Sequence, residues 1–442
     1  MSRRTDRASR ESNRGVSDSR RICVFTTSHD ATDARVFGRE ATALAEAGYD
    51  VTLFTPFGPS RVEDGVRIRA FTDIDTGDGQ PPLPGVGTRV QWAFELLGEL
   101  YDTDYDVYHF HDAELLPTGA ALSVLTHGRV IYDVHENVEN VLRHKELLPE
   151  PVRPALAGAI SVIERTLARA TDGIVAASTD IAERFGGHPD VITVTNYPRV
   201  KWAKRATERG VVPDVGESSD SGSGDSDGEG NGSDESDGRE SEGENDEPVR
   251  FVYCGLLSED RGIPRLIDAV DRVPDEHDVR LVIGGKYETD ADERRIERKG
   301  RESSRVSLVG WQNSLADVFD LLYRSDVGMM VFAPDPNKTR AAHRSNKLFW
   351  YMAAALPIVV SDIGNWTEVV EDAECGIPVD PLATDEIAAT MADLAENPRK
   401  RRELGAAGHD AALSTYNWEV QRDRLFDLYE RLLGPLPAKI EL

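Results

Sequence analysis

Short apolar runs alternate along this chain with stretches of helical period. Arg21-Ile22-Cys23-Val24-Phe25-Thr26 reads as a strand, Val36 to Ala47 as an amphipathic helix ending at Gly48, and Asp50-Val51-Thr52-Leu53-Phe54 as the next strand. Asp106–Phe110, Val130–Val134, Gly173–Ala177 and Val191–Val194 continue the series. The pattern stops near Asp214 and restarts at Arg250-Phe251-Val252-Tyr253-Cys254, followed by Val279–Ile283, Val306–Val309, Val327–Val331 and Ile358–Val360. Strands alternating with helices predict βαβ units and parallel, doubly wound sheets, here two of similar size. The last segment, Trp418 to Leu433, carries Leu425, Leu428 and Leu432 at helical spacing.

These breaks divide the chain into an arm (1–20), a first Rossmann-like domain (21–200), a linker (201–248), a second Rossmann-like domain (249–415) and a C-terminal helical segment (416–442). The arm is rich in Arg and Ser and has no apolar stretch, so it reads as disordered and not as a secretory signal. From Asp214 to Glu247 the composition falls to Gly, Ser, Asp and Glu, which cannot bury a core and predicts a flexible linker. That tract holds fourteen acidic residues and one arginine, a net of −13, leaving −15 of the total −28 to the rest of the 442 residues. Seventy-nine acidic residues against 51 basic ones exclude a backbone-binding nucleic-acid protein and suit a halophilic source. Cys23, Cys254 and Cys375 sit in or beside apolar runs with no metal or redox spacing. No apolar run approaches a membrane span. The expected home is the cytoplasm, with peripheral association at the inner face of the cell membrane, through a partner or a lipid acceptor, as the alternative.

In doubly wound sheets ligands bind beyond the carboxyl ends of strands, and two such domains imply a cleft between them. The candidate chemistry follows strands in both halves. Arg344 to Asp362 reads as a short helix and then a buried strand. Leu348, Met352 and Ala355 form its core face, while Asn346, Lys347 and Trp350 point elsewhere. Arg340, Arg344 and Lys347 cluster there against the sign of the whole chain. A helix N-terminus with an adjacent lysine suits an anion such as a diphosphate, although a charge run is commonly a solvated face. Gly255-Leu256-Leu257-Ser258-Glu259-Asp260-Arg261-Gly262 offers backbone N–H groups and the forked Arg261 cation to phosphate oxygens. An ordinary strand-to-helix turn with a surface arginine accounts for the same residues. Val309-Gly310-Trp311-Gln312 suits either a nucleobase contact or a buried tryptophan closing a turn.

In the first half, Ser28 to Arg35 is polar and of mixed charge, plausible for a hydroxyl-rich substrate or for a helix cap with Asp33 near the start. His109-Phe110-His111-Asp112 places both histidines on one strand face. A His-x-His can bind metal, but no Cys or further His lies at ligand spacing nearby, so no metal is expected. Ile131-Tyr132-Asp133-Val134-His135-Glu136 puts His135 at a strand end, suited to proton handling or to a sugar hydroxyl. A satisfied structural histidine is the plainer alternative.

Taken in order, these segments resemble glycosyltransferase family 4, the retaining GT-B kind. The matching pieces are His29-Asp30-x-x-Asp33-Ala34-Arg35-Val36-Phe37, Tyr108-His109-Phe110-His111-Asp112, Asp133-Val134-His135-Glu136, Gly255 through Arg261-Gly262, Asn346-Lys347-Leu348-Phe349-x-Tyr351-Met352-Ala353-Ala354 and Tyr416-Asn417-Trp418-Glu419. The resemblance implies two Rossmann-like domains facing across a cleft, and a C-terminal helix crossing back to the first. It implies sugar transfer from a nucleotide-sugar donor, UDP- or GDP-linked, to a glycan or lipid-linked acceptor hydroxyl, with no metal or other cofactor. His135 matches the family's cleft histidine, Arg261 and Lys347 its diphosphate cations, and Ser345 and Asn346 its helix N-terminal donors. Gly255, Gly262, Gly310, Trp311, Arg344 and Trp350 complete the expected donor side. His29, Asp30, Asp33, Arg35, His111, Asp112 and Glu136 form the expected acceptor side. Two departures stand out. Leu256 replaces a frequent basic residue, and Ala342 and Trp350 replace the paired glutamates, the second of which accepts ribose hydroxyls. Loss of such a charged hydrogen bond costs roughly 1.5–3 kcal/mol. A role in surface-glycan or glycoprotein assembly is the expectation, with a nucleotide-sugar 2-epimerase and a non-catalytic partner protein as alternatives.

Overall fold

Among the described residues the chain forms two parallel sheets, each the centre of its own unit. The computed structural model describes residues 19–31, 33–72, 84–144, 151–211, 247–335, 339 and 341–435; most of the N-terminal arm, Arg340 and nearly all of the acidic tract lie outside them. One unit comprises Met1–Val200, Asp335–Phe349 and Ser414–Leu442, the other Lys201–Pro334 and Trp350–Leu413.

The first unit holds β1 (Arg21–Phe25), β2 (Asp50–Thr55), β3 (Arg61–Glu63), β4 (Val66–Ala70), β5 (Val107–His111), β6 (Arg129–Val134), β7 (Gly173–Ala176) and β8 (Val191–Thr193). Their order is β3-β4-β2-β1-β5-β6-β7-β8. Only the β3–β4 pair is antiparallel. That hairpin is absent from the apolar-run reading. Its turn residues, Asp64 and Gly65, both have left-handed φ (46° and 77°), as a two-residue Asp-Gly hairpin requires. The order reverses beside β1, which lies between β2 and β5, so the ends of β1 and β5 flank a topological switch point.

Alternation along the strands sorts two cores. Ile22, Val24, Leu53, Val107, Ile131 and Val175 face one side of the sheet. Cys23, Phe25, Tyr108, Phe110, Tyr132 and Ile174 face the other. The helices of this unit are α1 (Thr42–Glu46), α2 (Val86–Leu100), α3 (Leu116–Leu125), α4 (Val138–His144), α5 (Arg153–Ala168) and α6 (Thr179–Glu183). The single helix expected from Val36 to Ala47 is instead a π-helical turn, Val36–Ala41, running into α1. Backbone bonds there span five residues, from Gly38 N–H to the Asp33 carbonyl (2.9 Å) and from Glu40 N–H to the Arg35 carbonyl (3.0 Å). Such a turn sets residues five apart on the same side, and it is common at functional sites.

The second unit holds β9 (Val249–Leu257), β10 (Val279–Tyr287), β11 (Val306–Gly310), β12 (Val327–Met330), β13 (Ile358–Ser361) and β14 (Gly376–Val379) in the order β11-β10-β9-β12-β13-β14, all parallel. β14 contains Pro378 and was not expected as a strand; it lies at the sheet edge, where proline is tolerated. The remaining helices are α7 (Val200–Glu208), α8 (Ile263–Val270), α9 (Asp290–Glu302), α10 (Leu315–Leu322), α11 (Asn346–Ala353), α12 (Asn365–Asp372), α13 (Thr384–Glu396), α14 (Pro398–Ser414) and α15 (Trp418–Leu433). Trp418, Leu425, Leu428 and Tyr429 of α15 belong to the first unit's core.

Two boundaries differ from expectation. The linker expected from residue 201 begins as α7, because Trp202 stacks on Phe319 of α10 at 4.5 Å and 2°. The Tyr323 hydroxyl also donates to the Trp202 carbonyl (2.6 Å), and Arg209 pairs with Asp320 (2.8 Å). Helix α11 ends at Ala353, so Ala355, expected on its core face, lies past the helix with φ 58°, while Leu348 and Met352 are buried as expected.

Replacing Trp202 by alanine should lower the stability of the second unit by about 3–5 kcal/mol, the usual cost of removing a buried tryptophan. Urea unfolding reads this directly. An unchanged midpoint would show that α7 is no part of that unit's core.

Candidate active site

The candidate residues of the first unit gather where β1, β5 and β6 end. Arg35 is the hub. It is 5% exposed, and its Nη2 donates to both oxygens of Asp133, at 3.0 and 2.9 Å. Nη1 donates to the Val194 carbonyl (2.6 Å) and to Asn196 Oδ1 (3.1 Å). The π turn brings Glu40 beside it, with Nε to Oε1 at 3.0 Å. Two carboxylates thus share one guanidinium in a site without solvent. Burial and the nearby Asp133 charge push the Glu40 carboxyl well above its ordinary range. For Asp133, burial acts upward but the Arg35 charge prevails and holds it below. Glu40 therefore keeps a proton and Asp133 stays ionised.

Three histidine rings stand next to this pair. His111 Nδ1 and His135 Nε2 are 3.0 Å apart, and His135 Nε2 lies 3.4 Å from Asp133 Oδ1. The His29 ring centroid is 4.8 Å from that of His135. Their charge states diverge. Burial disfavours the His29 cation, but its hydrogen bond to Asp33 (3.0 Å) and the charges of Asp33 and Asp112 raise its pKa to about 9. Burial, with the His29 and Arg35 charges, lowers His135 to about 4 against the pull of Asp133. Burial and its histidine neighbours depress His111 as well. At neutral pH the cluster is one imidazolium beside two neutral rings. His111 Nε2 is buried without a hydrogen-bond partner. A buried lone pair is cheaper to leave alone than a buried N–H, so the His111 proton belongs on Nδ1, donated to His135 Nε2. His135 then carries its own proton on Nδ1.

Asp112, expected to bind acceptor, instead organises the loop after β1. It has a left-handed φ of 79° and accepts from Thr26 Oγ1 (2.7 Å), Thr27 N–H (2.8 Å) and Ser28 Oγ. Asp33 caps the π turn, accepting from the N–H groups of Arg35 and Val36, both at 2.8 Å. Arg35 and Asp112 spend their polar atoms on partners inside the protein, and His111 is fully buried. His29 and His135 keep partial exposure, 23% and 18%. Asp30 is half-buried, and Glu136 is exposed.

The segment Asp335–Phe349 groups with the first unit, so Arg344, Ser345, Asn346 and Lys347 do too. Arg344 pairs with both oxygens of Asp180 (3.1 and 2.8 Å), which already supplies the anion expected from a ligand. Asn346 Oδ1 accepts from Arg39 Nη2 (3.1 Å), whose Nη1 donates to Asn196 (3.1 Å). Ser345 Oγ lies 3.5 Å from the Leu348 N–H, at the start of α11.

In the second unit, Gly255 lies inside β9 and not in a turn. It pairs with Gly285, where a Cβ would come within 1.8 Å of the Gly255 carbonyl oxygen. The turn proper runs from Ser258 to Gly262, whose φ of 71° opens α8 and whose absent Cβ would otherwise meet the Val331 carbonyl oxygen at 2.1 Å. Arg261 is half-buried beside it. Gly310 ends β11 with φ 73°, and Trp311 next to it is 55% exposed. Trp350 has its ring 6.5 Å from Phe319 and a buried Nε1 without a partner.

Sequence reading passed over Glu40 and Arg39, and placed His109 on the strand face without a site role. Two signals point to them: an Arg-Glu pair inside the apolar run Val36 to Leu44, and the shared strand face of positions 109, 111, 133 and 135. Glu40, His109, His111 and Asp133 bring ligand-type atoms within 4.8 Å of one another, a convergence that linear spacing of Cys and His does not reveal. Arg35 already places a cation against both carboxylates of that group.

Residues 34–198 match the family model described as Glycosyl transferase 4-like domain, and residues 248–397 match Glycosyl transferases group 1. The chain is 32% identical over 199 residues to a phosphatidyl-myo-inositol mannosyltransferase of Mycobacterium tuberculosis, covering 43% of this chain and 49% of that protein. It spans about half the length of the curated relatives it matches first. Its fold is similar to sucrose-phosphate synthase from Thermosynechococcus elongatus, with a TM-score of 0.64, 17% identity and coverage of 93% and 99% of the two chains. It is also similar to Anabaena HepE in complex with UDP, with a TM-score of 0.61, 14% identity and coverage of 93% and 100%.

The opposed histidine shifts predict a peaked pH dependence of stability. His29, raised in the fold, contributes fully below pH 6.5 and loses its contribution as pH rises toward about 9. His135 and His109, both lowered to about 4, weaken the fold as pH falls from 6.5 toward 4. Melting temperature should therefore be greatest near pH 6.5. His29→Gln should flatten the alkaline arm and, by removing a charge that lowers His135, shallow the acid arm slightly, whereas His135→Gln should shallow the acid arm and leave the part that His109 contributes. Parallel curves for parent and variants would refute these charge assignments.

Proposed function

We propose, on the premise that this chain belongs to the glycosyltransferases of family 4 and has their GT-B fold, that it transfers a sugar from a nucleotide-sugar donor to an acceptor hydroxyl with retention. The observation that carries the reading is the histidine cluster at the ends of β1, β5 and β6, where burial and the His29 and Arg35 charges hold His135 neutral and the contact with His111 orients it. In this reading the His135 Nδ1–H donates to a hydroxyl of the donor sugar. The bond from the anomeric carbon to the diphosphate breaks, and its electron pair leaves with the diphosphate. The acceptor oxygen bonds to that carbon, and its proton passes to the oxygen of the leaving diphosphate. Lys347 and Arg261, with the Ser258–Gly262 turn, stabilise the departing charge, which is where such sites gain most of their rate. Trp311 and Gly310 serve the base. His29, Asp30 and Glu136 are the acceptor-side groups with exposure, and Asp33 fixes His29 as a cation. Glycan assembly, with a glycan or lipid-linked acceptor, is the setting we favour. HepE, similar in fold, was solved with UDP, which makes UDP-sugars the first donors to try.

A non-catalytic reading has its own support. Ala342 is fully buried and Trp350 stands near Phe319, so neither usual carboxylate is present. Calorimetry with UDP-, GDP- and dTDP-sugars in high salt separates the two, since absence of any saturable binding would favour the non-catalytic one. Lys347→Ala and Arg261→Ala should each weaken nucleotide binding about tenfold or more, as expected for loss of a charged hydrogen bond. His135→Ala should lower kcat with little change in nucleotide affinity. Unchanged affinity in Lys347→Ala would sink the phosphate assignment. Epimer release from donor alone would replace transfer by epimerisation.

A further inference from the structure

Nine of the thirteen large apolar side chains exposed among the described residues lie on or beside α2, α3 and α5. On α2 they form a stripe, Val86, Val90, Phe94 and Tyr101, with half-buried Leu97 between the last two. These spacings keep to one helical face. The adjoining face of α2 is buried, with Ala93, Leu96 and Leu100 in the sheet's core and Trp92 against Phe57 and Phe71. The apolar arc of α2 is thus wider than the part the fold covers. Val162 and Ile163 on α5 are each 56% exposed, and an apolar cavity of about 250 Å³ opens between α2 and α5, lined by Val90, Phe94, Ile160 and Leu167 among others. All of this lies on the sheet face opposite the core that contains α15.

Along α5 the charge opposes that of the chain, while α2 carries Arg89 with Glu95 and Glu99. From Arg153 to Arg169 there are three arginines and a single acid, Glu164, which is buried and paired with Arg184 at 2.6 Å. Arg165 and Arg169 are exposed, and they line a second cavity of about 530 Å³ on the other flank of α5, together with His188 and one acid, Glu183. One helix therefore separates an apolar groove from a cationic pocket, in a protein with a net charge of −28.

We propose that the α2–α3–α5 face docks on an anionic lipid bilayer. The stripe and groove enter the boundary of the acyl chains, and Arg165 and Arg169 meet headgroup phosphates. This combination of apolar area with arginines is what reversible interfacial binding needs, since neither alone holds a protein at a membrane. No described helix is long and apolar enough to cross a membrane. The proposal does not depend on the transferase reading.

Flotation of the full chain with phosphatidylcholine vesicles, with and without phosphatidylglycerol, tests it. The parent should float with the anionic vesicles only, and less as salt rises. Arg165→Glu and Arg169→Glu should each reduce partitioning about fivefold or more. Phe94→Glu and Ile163→Glu, exposed enough to leave the fold unchanged by circular dichroism, should abolish it. Hydrogen exchange of the parent on vesicles reads the same surface without substitution, and slowing should be confined to α2, α3 and α5. Equal flotation with both vesicle types, no flotation, or exchange slowed elsewhere would overturn the proposal. So would a concentration-dependent dimer that Phe94→Glu dissolves, since a second copy would then cover the face.

Discussion

Everything in the first unit's candidate site hangs on the buried contact between Arg35 and Asp133. One guanidinium joins β6 to the end of β8 and, through Glu40, to the π turn. Arg39, one helical turn on, extends the network through Asn196 to Asn346. Removing one partner from such a group leaves a buried charge uncompensated, at a cost of about 3–5 kcal/mol. An apolar replacement of the whole set could match its stability. It would not reproduce the charge balance at His135, where Arg35 favours the neutral ring and Asp133 the cation.

The architecture was legible because each strand is a short apolar run after a helix, and eleven such runs appear in order. The β3–β4 hairpin and the proline-bearing β14 were missed because they are short edge elements with little apolar signal. The site was legible in part. His135, His111, His29 and Arg35 could be picked out as polar residues at strand ends. Their division into exposed and committed groups could not, because Arg35 meets Asp133 and Val194 only after the sheet has formed. The π turn was invisible for a related reason. An apolar period near 3.6 fits Val36 to Ala47 well enough, and the fifth-residue pairing of Arg35 with Glu40 is imposed by tertiary charge.

The other candidate anion site has changed more. Arg344, expected to meet a ligand, is satisfied by Asp180. Trp350, at the position where the family resemblance leads one to expect a carboxylate, stands near an aromatic stack that also fastens α7. The packing of Trp350 beside Phe319 would be lost if a glutamate stood there alone.

The hydrogen bond between His109 and Tyr429 (3.0 Å) joins residues 320 positions apart. Trp418, Leu425, Leu428 and Tyr429 belong to the same core as the first strand. At ribosomal speeds of about 5–20 residues per second, His109 waits roughly 16–64 s for its partner to be made. During that interval the nascent first sheet has one apolar face without its cover, while the second unit is synthesised and can fold. The half of the molecule that is translated first is thus completed last, and chaperone demand during biosynthesis should fall on that uncovered face.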